Sequence, residues 1–108
     1  MHFIKRSLTL NEWQRIMKVT LHFRGPLAKK FQEGTIEVEL DTSASLSDLL
    51  GKVIEREECV REVWDSPEVI DRDALVLWNG ADIGLSGGLE TKLNEADTIV
   101  VLPLIHGG

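Results

Sequence analysis

A chain of 108 residues with 18 acidic and 12 basic side chains and a net charge of −6 holds one domain and lacks the basic face that a nucleic-acid binder needs. Its 43% apolar and 28% charged content is ordinary for a globular protein, and its single cysteine, Cys59, forms no internal disulfide, so nothing calls for an oxidising compartment. No apolar run approaches the roughly 20 residues of a membrane helix, and Met1-His2-Phe3-Ile4-Lys5-Arg6 lacks a secretory core; the expectation is a cytoplasmic protein with no nucleic-acid and no membrane partner.

Residues 1–16 read as an N-terminal extension. Thr9 with Glu12 three residues on forms a capping-box pattern, and Leu10, Trp13 and Met17 share the spacing of a short amphipathic helix. Met17-Lys18-Val19 also has the look of a chain start, so a genuine extension and a start at Met17 both stand. From there Val19, Leu21 and Phe23 alternate with polar residues, which predicts a half-buried strand broken by Gly25-Pro26. Thr35 to Leu40 alternates again, with Ile36, Val38 and Leu40 on one face and Glu37 and Glu39 on the other. The two strands are expected to pair as a hairpin across the Leu27–Gly34 loop.

The period then switches. Leu46, Leu49, Leu50, Val53 and Ile54 follow the i, i+3, i+4, i+7, i+8 pattern of a helix with one buried stripe. Ser45 is its N-cap, Asp48 complements the positive helix end, and Asp48 and Lys52 are spaced as an i,i+4 ion pair. The helix is expected to weaken near Glu57-Glu58 and to end by Ser66-Pro67, because the residue before a proline disfavours helix. Leu75 to Trp78 predicts a strand, Asn79-Gly80 a tight turn, and Ala81 to Ile83 a short return strand. Gly84 to Gly88 reads as a loop, Asn94 to Asp97 as a turn, and Thr98 to Leu102 as the last strand, with Pro103 ending regular pairing for want of an N–H. One helix on a mixed sheet of four to five strands, an α+β fold, is the economical arrangement. The domain is placed at residues 17–102 and a flexible tail at residues 103–108.

The tail carries the chemistry. By composition alone two terminal glycines occur in about one chain in 200, but here Gly107 and Gly108 directly follow the last strand of a strand–strand–helix–strand pattern. Six residues from Pro103 onward extend at most about 20 Å, enough to reach into another protein's active site. Glycine has no Cβ, so the pair can thread a narrow channel. A free carboxylate is a poor electrophile; adenylation by ATP would supply a leaving group that a sulfur donor or an amine then displaces. No residue of this chain can perform that activation.

Nearly the whole stretch from Met17 to Gly108 resembles the β-grasp sulfur carriers and ubiquitin-like modifiers, a family that includes MoaD-type and ThiS-type proteins, small archaeal modifiers and the ubiquitin-related modifier. The resemblance is carried by Leu75-Val76-Leu77-Trp78-Asn79-Gly80-Ala81-Asp82, by Leu93-Asn94-Glu95-Ala96-Asp97-Thr98-Ile99-Val100-Val101, and by the Gly-Gly ending. Ile105-His106-Gly107-Gly108 is similar to the ending of the ubiquitin-related modifier, and Pro103 to that of MoaD-type subunits. Ala96 stands where the family's turn usually has glycine, and residues 1–16 have no family counterpart. The resemblance implies a carrier rather than an enzyme. Gly108 would be adenylated and thiocarboxylated, with Gly107 needed for entry, by an activating enzyme of the ubiquitin-activating, MoeB or ThiF type that uses ATP and Mg; no cofactor would be bound by the chain itself. The sulfur would go to an acceptor, as in tRNA thiolation, or the tail would be conjugated to lysines of target proteins. Insertion of the tail into a molybdopterin synthase large subunit is the alternative, and a β-grasp binding module that is never activated is the third reading.

Leu104, Ile105 and His106 would contact the partner along with the tail; His106 either assists the activating enzyme or simply fills its channel. Val100 and Leu102 face opposite to Ile99 and Val101, so the last strand is apolar on both sides where a one-sided sheet should alternate with polar residues. Either a helix from residues 1–16 covers Val100 and Leu102, or they form a docking patch beside the tail. Cys59 is an acceptor or a small packing residue, and neither it nor His2 or His22 has metal-ligand spacing. Gly84-Leu85-Ser86-Gly87-Gly88 lacks the Lys-Ser/Thr and following helix of a phosphate loop.

Overall fold

The computed structural model describes residues 15–104. The expected helix built on Leu10 and Trp13 lies outside them, as do Ile105 to Gly108. Ile16, placed in the extension by its sequence, opens the first strand, and Met17 is a buried strand residue rather than part of a helical stripe.

Strand β1 (Ile16–Phe23) buries Met17, Val19, Leu21 and Phe23 and turns Lys18, Thr20 and His22 the other way, as period-two alternation requires. Strand β2 (Thr35–Asp41) pairs with it antiparallel, Val19 opposite Val38. The connection is more ordered than a plain loop. Two 3₁₀ segments, Gly25–Lys30 and Gln32–Gly34, bury Leu27 and let Phe31 stack on Phe23 with ring centroids 5.1 Å apart. Gly34 makes this return possible: its φ is +73°, and a Cβ there would sit 2.7 Å from the Phe23 carbonyl oxygen.

Helix α1 (Leu46–Arg56) buries the five predicted side chains. Ser45 caps it, with a full capping box: its side chain accepts from the Asp48 N–H at 3.2 Å while the Asp48 carboxylate accepts from the Ser45 N–H at 2.9 Å. That use of Asp48 displaces the expected ion pair with Lys52, whose ammonium instead donates to the Glu39 carbonyl oxygen at 2.6 Å, tying helix to sheet. The helix ends at Glu57, and a single turn, α2 (Glu58–Arg61), follows.

The helical stretch has thus ended before Ser66-Pro67, as expected, but that pair then starts a helix the sequence reading did not foresee. Helix α3 (Pro67–Asp73) has Pro67 in its first turn, where a missing N–H costs nothing, and Ser66 as N-cap accepting from the Val69 N–H at 3.3 Å. Strand β3 (Ala74–Trp78) follows at once. Asn79 and Gly80, at φ +50° and +90°, turn the chain into β4 (Ala81–Asp82), and Ile83 leaves the expected strand to begin the 3₁₀ turn Ile83–Leu85. A second 3₁₀ turn, Gly88–Glu90, precedes β5 (Thr98–Pro103). Pro103 is the last residue of that strand, opposite Ala74, not the first of the tail.

The sheet runs β2-β1-β5-β3-β4, with β1 and β5 parallel and the other neighbours antiparallel. The core fills the space between one sheet face and α1, joined by Val60, Trp64 and Ile70 from the segments after it. The result is the expected α+β arrangement: a mixed sheet, here of five strands, wrapped on one main helix.

Candidate functional site

The site is built at the end of the sheet where β1 and β5 finish side by side. Strand β5 is central, flanked by β1 and β3, so its backbone is held along both edges. Ile99 and Val101 are fully buried toward α1, while Val100 is half-buried and Leu102 is 39% exposed on the opposite face. Pairing sets Leu75 opposite Leu102 and Leu77 opposite Val100 on β3, and His22 beside Val100 on β1. These side chains share the open face, so Leu75, Leu77, Val100 and Leu102 form one apolar strip. His22 borders it, its Nδ1 2.8 Å from the Thr35 hydroxyl. Among the described residues no element covers this face.

The chain leaves the sheet beside this strip. Leu104 is 48% exposed, and its N–H donates to the Asp73 carbonyl oxygen at 3.0 Å, one bond past Pro103. Of the residues singled out by the sequence, Val100, Leu102 and Leu104 are thus brought together; Ile105, His106, Gly107 and Gly108 lie outside the described residues.

Asp97, which the sequence reading passed over, anchors the entry to β5. It is buried, and its carboxylate accepts from Trp78 Nε1 at 2.7 Å, Asn79 Nδ2 at 2.9 Å and the Asn94 N–H at 2.7 Å. Asn79 in turn accepts from the Thr98 N–H at 2.8 Å. Burial alone would raise the Asp97 pKa, but the donors from Asn79, Trp78 and Asn94 outweigh it and hold the group below the ordinary carboxylate range. The network locks the β3–β4 turn to the turn before β5. Its members lie 18 and 19 positions apart in sequence, a separation no local pattern flags. Ala96 beside it has φ +70°, which is why glycine suits this position.

The other candidates take structural places. Cys59 is half-buried and packs against the core. In the glycine-rich stretch, Asp82 accepts from the Gly84 N–H at 2.9 Å and the Thr91 hydroxyl donates to the Gly88 carbonyl at 2.7 Å, so its polar groups are spent on the loop itself. No three His, Cys, Asp or Glu side chains among the described residues are grouped to hold a metal ion, and no described helix is long and apolar enough to cross a membrane.

A five-stranded mixed sheet around one main helix, with the chain leaving a central strand beside an apolar face, is the β-grasp architecture of ubiquitin-like carrier proteins. The chain belongs to the ThiS family, whose model matches residues 22–108. Proteins of this family are sulfur carriers of the ubiquitin-like kind, not catalysts. Similar solved structures include small archaeal modifier protein 1 from Methanosarcina acetivorans, with a TM-score of 0.69 and 21% identity over 86% of this chain and 98% of that one. Urm1 from Trypanosoma brucei is similar with a TM-score of 0.59 and 26% identity, over 86% of this chain and 97% of that one. A chain of the BexX/CysO complex of Amycolatopsis orientalis matches with a TM-score of 0.60 and 26% identity, over 83% and 99%. No curated protein matches this sequence.

Proposed function

We propose that this chain is a ubiquitin-like sulfur carrier and protein modifier activated at Gly108. The observation that carries the reading is the placement of the tail root: β5 is held on both edges up to Val101 and by β3 as far as Pro103, and Leu104 leaves there beside the strip of Leu75, Val100 and Leu102. A partner seated on that strip would find Gly108 within about 14 Å of Leu104, the contour length of four residues. The family match, which runs through Gly107 and Gly108, supports the same assignment.

In this reading an adenylating enzyme uses ATP and Mg to convert the Gly108 carboxylate to an acyl-adenylate, releasing pyrophosphate. A sulfur donor then displaces AMP to leave a thiocarboxylate, or a lysine amine of a target protein displaces it to form an isopeptide bond. The activating enzyme supplies the chemistry of both steps, with His106 the one tail residue that would either assist it or simply fill its channel. Its residues hold the tail root still, offer the docking strip, and leave the closing glycines bare enough to enter an active site. That the similar Amycolatopsis orientalis structure is a complex of BexX with CysO supports a protein partner for this chain.

The test is ATP–pyrophosphate exchange by an adenylating enzyme from the same cells. The intact chain is expected to support exchange, and a chain lacking Gly107 and Gly108 or carrying an extra alanine after Gly108 is expected to support none. Equal exchange by all three chains would refute the assignment.

A further inference from the structure

The protein is acidic, and most of its described cations are spoken for. Lys18 faces Glu37 at 3.8 Å, Arg56 faces Glu57 at 3.5 Å and Arg72 faces Asp73 at 2.8 Å. Lys52 and Lys92 donate to the carbonyl oxygens of Glu39 and Ser43, and Arg61 to those of Ile54 and Glu55. Arg15 sits in the field of Asp41. Three bases remain whose side chains make no hydrogen bond or ion pair at all among the described residues: Arg24, Lys29 and Lys30, all exposed.

These three fall in one short stretch at one end of the molecule. Arg24 follows β1 directly, and its N–H donates to the Val101 carbonyl oxygen at 3.0 Å, beside Leu102. Gly25 lies against Pro103, since a Cβ built there would be 3.6 Å from the proline ring. Lys29 and Lys30 close the 3₁₀ segment that Gly25 opens. Arg24 thus adjoins the root of the tail, and Lys29 and Lys30 follow it within one short 3₁₀ segment. The acids that adjoin the tail root or this segment are Asp73, whose carbonyl holds Leu104 and whose carboxylate faces Arg72, Glu33 in the next 3₁₀ turn, and Glu58 on α2, which packs on this segment. Glu33 and Glu58 are exposed and not ion-paired to these bases.

Three exposed cations close together in sequence on a chain of net charge −6 make a local positive patch suited to an anionic counterpart. The backbone that carries them is already ordered, with Phe31 stacked on Phe23, so binding orders only their side chains. We infer that Arg24, Lys29 and Lys30, carried on the segment that starts against Pro103 at the tail root, bind an acidic surface of the enzyme that activates Gly108 and orient the tail toward its active site. The inference rests on the Gly108 reading and adds which charges the partner carries and where. Complementary charge of this kind acts on encounter and register, not on the bond-making step.

The experiment is the dependence of pyrophosphate exchange on carrier concentration and salt, with the adenylating enzyme from the same cells. The chain carrying Arg24→Glu, Lys29→Glu and Lys30→Glu is expected to raise KM about tenfold with kcat unchanged, and to flatten the rise of KM with salt. Compared one reversal at a time, Lys92→Glu, remote from the tail, is expected to leave KM unchanged while Arg24→Glu alone raises it about threefold. Circular dichroism checks folding; should the reversal unfold the domain, glutamine at the same three positions is expected to raise KM about threefold. An unchanged KM and salt slope in the folded variant overturns the inference while leaving the Gly108 assignment intact. An equal effect from Lys92→Glu also overturns it, because net charge would then be the cause. Absence of exchange with the unaltered chain is a failure of the Gly108 assignment itself, and the inference falls with it.

Discussion

Asp97 shows how much one side chain organises here. Its carboxylate collects donors from Trp78, Asn79 and Asn94, so Asp97→Asn leaves at least one of them facing a like donor. The expected loss is about 1–3 kcal/mol at neutral pH, read by urea unfolding. The pH dependence has a definite sign. The folded pKa lies below the unfolded value, so the contribution is complete above about pH 3.9, the ordinary aspartate value, and is lost as pH falls through the lower folded value. The stability gap between the two proteins should narrow on acidification below that point and stay constant from pH 5 to 8 if this carboxyl is its source. Ala96 gives the opposite forecast. At φ +70° an alanine is strained, and Ala96→Gly should stabilise the fold by about 0.5–1 kcal/mol despite the freer unfolded chain. A loss of stability would show that the turn does not hold that conformation in solution. Gly34→Ala should cost about 2–3 kcal/mol by the same measurement, since its Cβ meets the Phe23 carbonyl.

At the scale of elements, α1 is the keystone because its stripe meets the sheet along its length. Leu50 has no exposed surface, and Leu50→Asp should abolish the cooperative melt; an unchanged circular dichroism spectrum and melting temperature would refute the register of the helix. Strands β1 and β2 and this helix were legible in the sequence because each has an unmixed period, whereas β3 and β5 show as short apolar runs. Alternation marked β1 and β2, and the 3.6 spacing marked α1, to within a residue or two. The misses have physical causes. Helix α3 was hidden because proline stops a helix from outside yet starts one from its first turn, and Ser66 decided between the two as N-cap. The Asp48–Lys52 pair failed because two backbone groups, the Ser45 N–H and the Glu39 carbonyl, competed for the same side chains. The 3₁₀ frame of residues 25–34 depends on the contact of Phe31 with Phe23, and the Asp97 network on residues far apart in sequence; neither leaves a local signature.

For the whole molecule, the division of labour is between a rigid sheet and a bare end. That Val100 and Leu102 share a sheet face with Leu75 and Leu77 follows from pairing, but whether residues 1–16 cover that face falls outside the described residues. The cations on the segment that starts at the tail root could not be foreseen, because Arg24, Lys29 and Lys30 look like ordinary surface charge until the partners of the other bases are known. Both surfaces would serve one event, the capture of Gly108 by an activating enzyme. The most direct test of that event is the intact mass of the protein isolated from its native cells under sulfur-replete growth. A fraction heavier by the replacement of one oxygen with sulfur, confined to the fragment that ends in Gly108, is the predicted result. A C-terminal fragment bearing only the plain carboxylate, with no Gly108 isopeptide on any other protein, would contradict it.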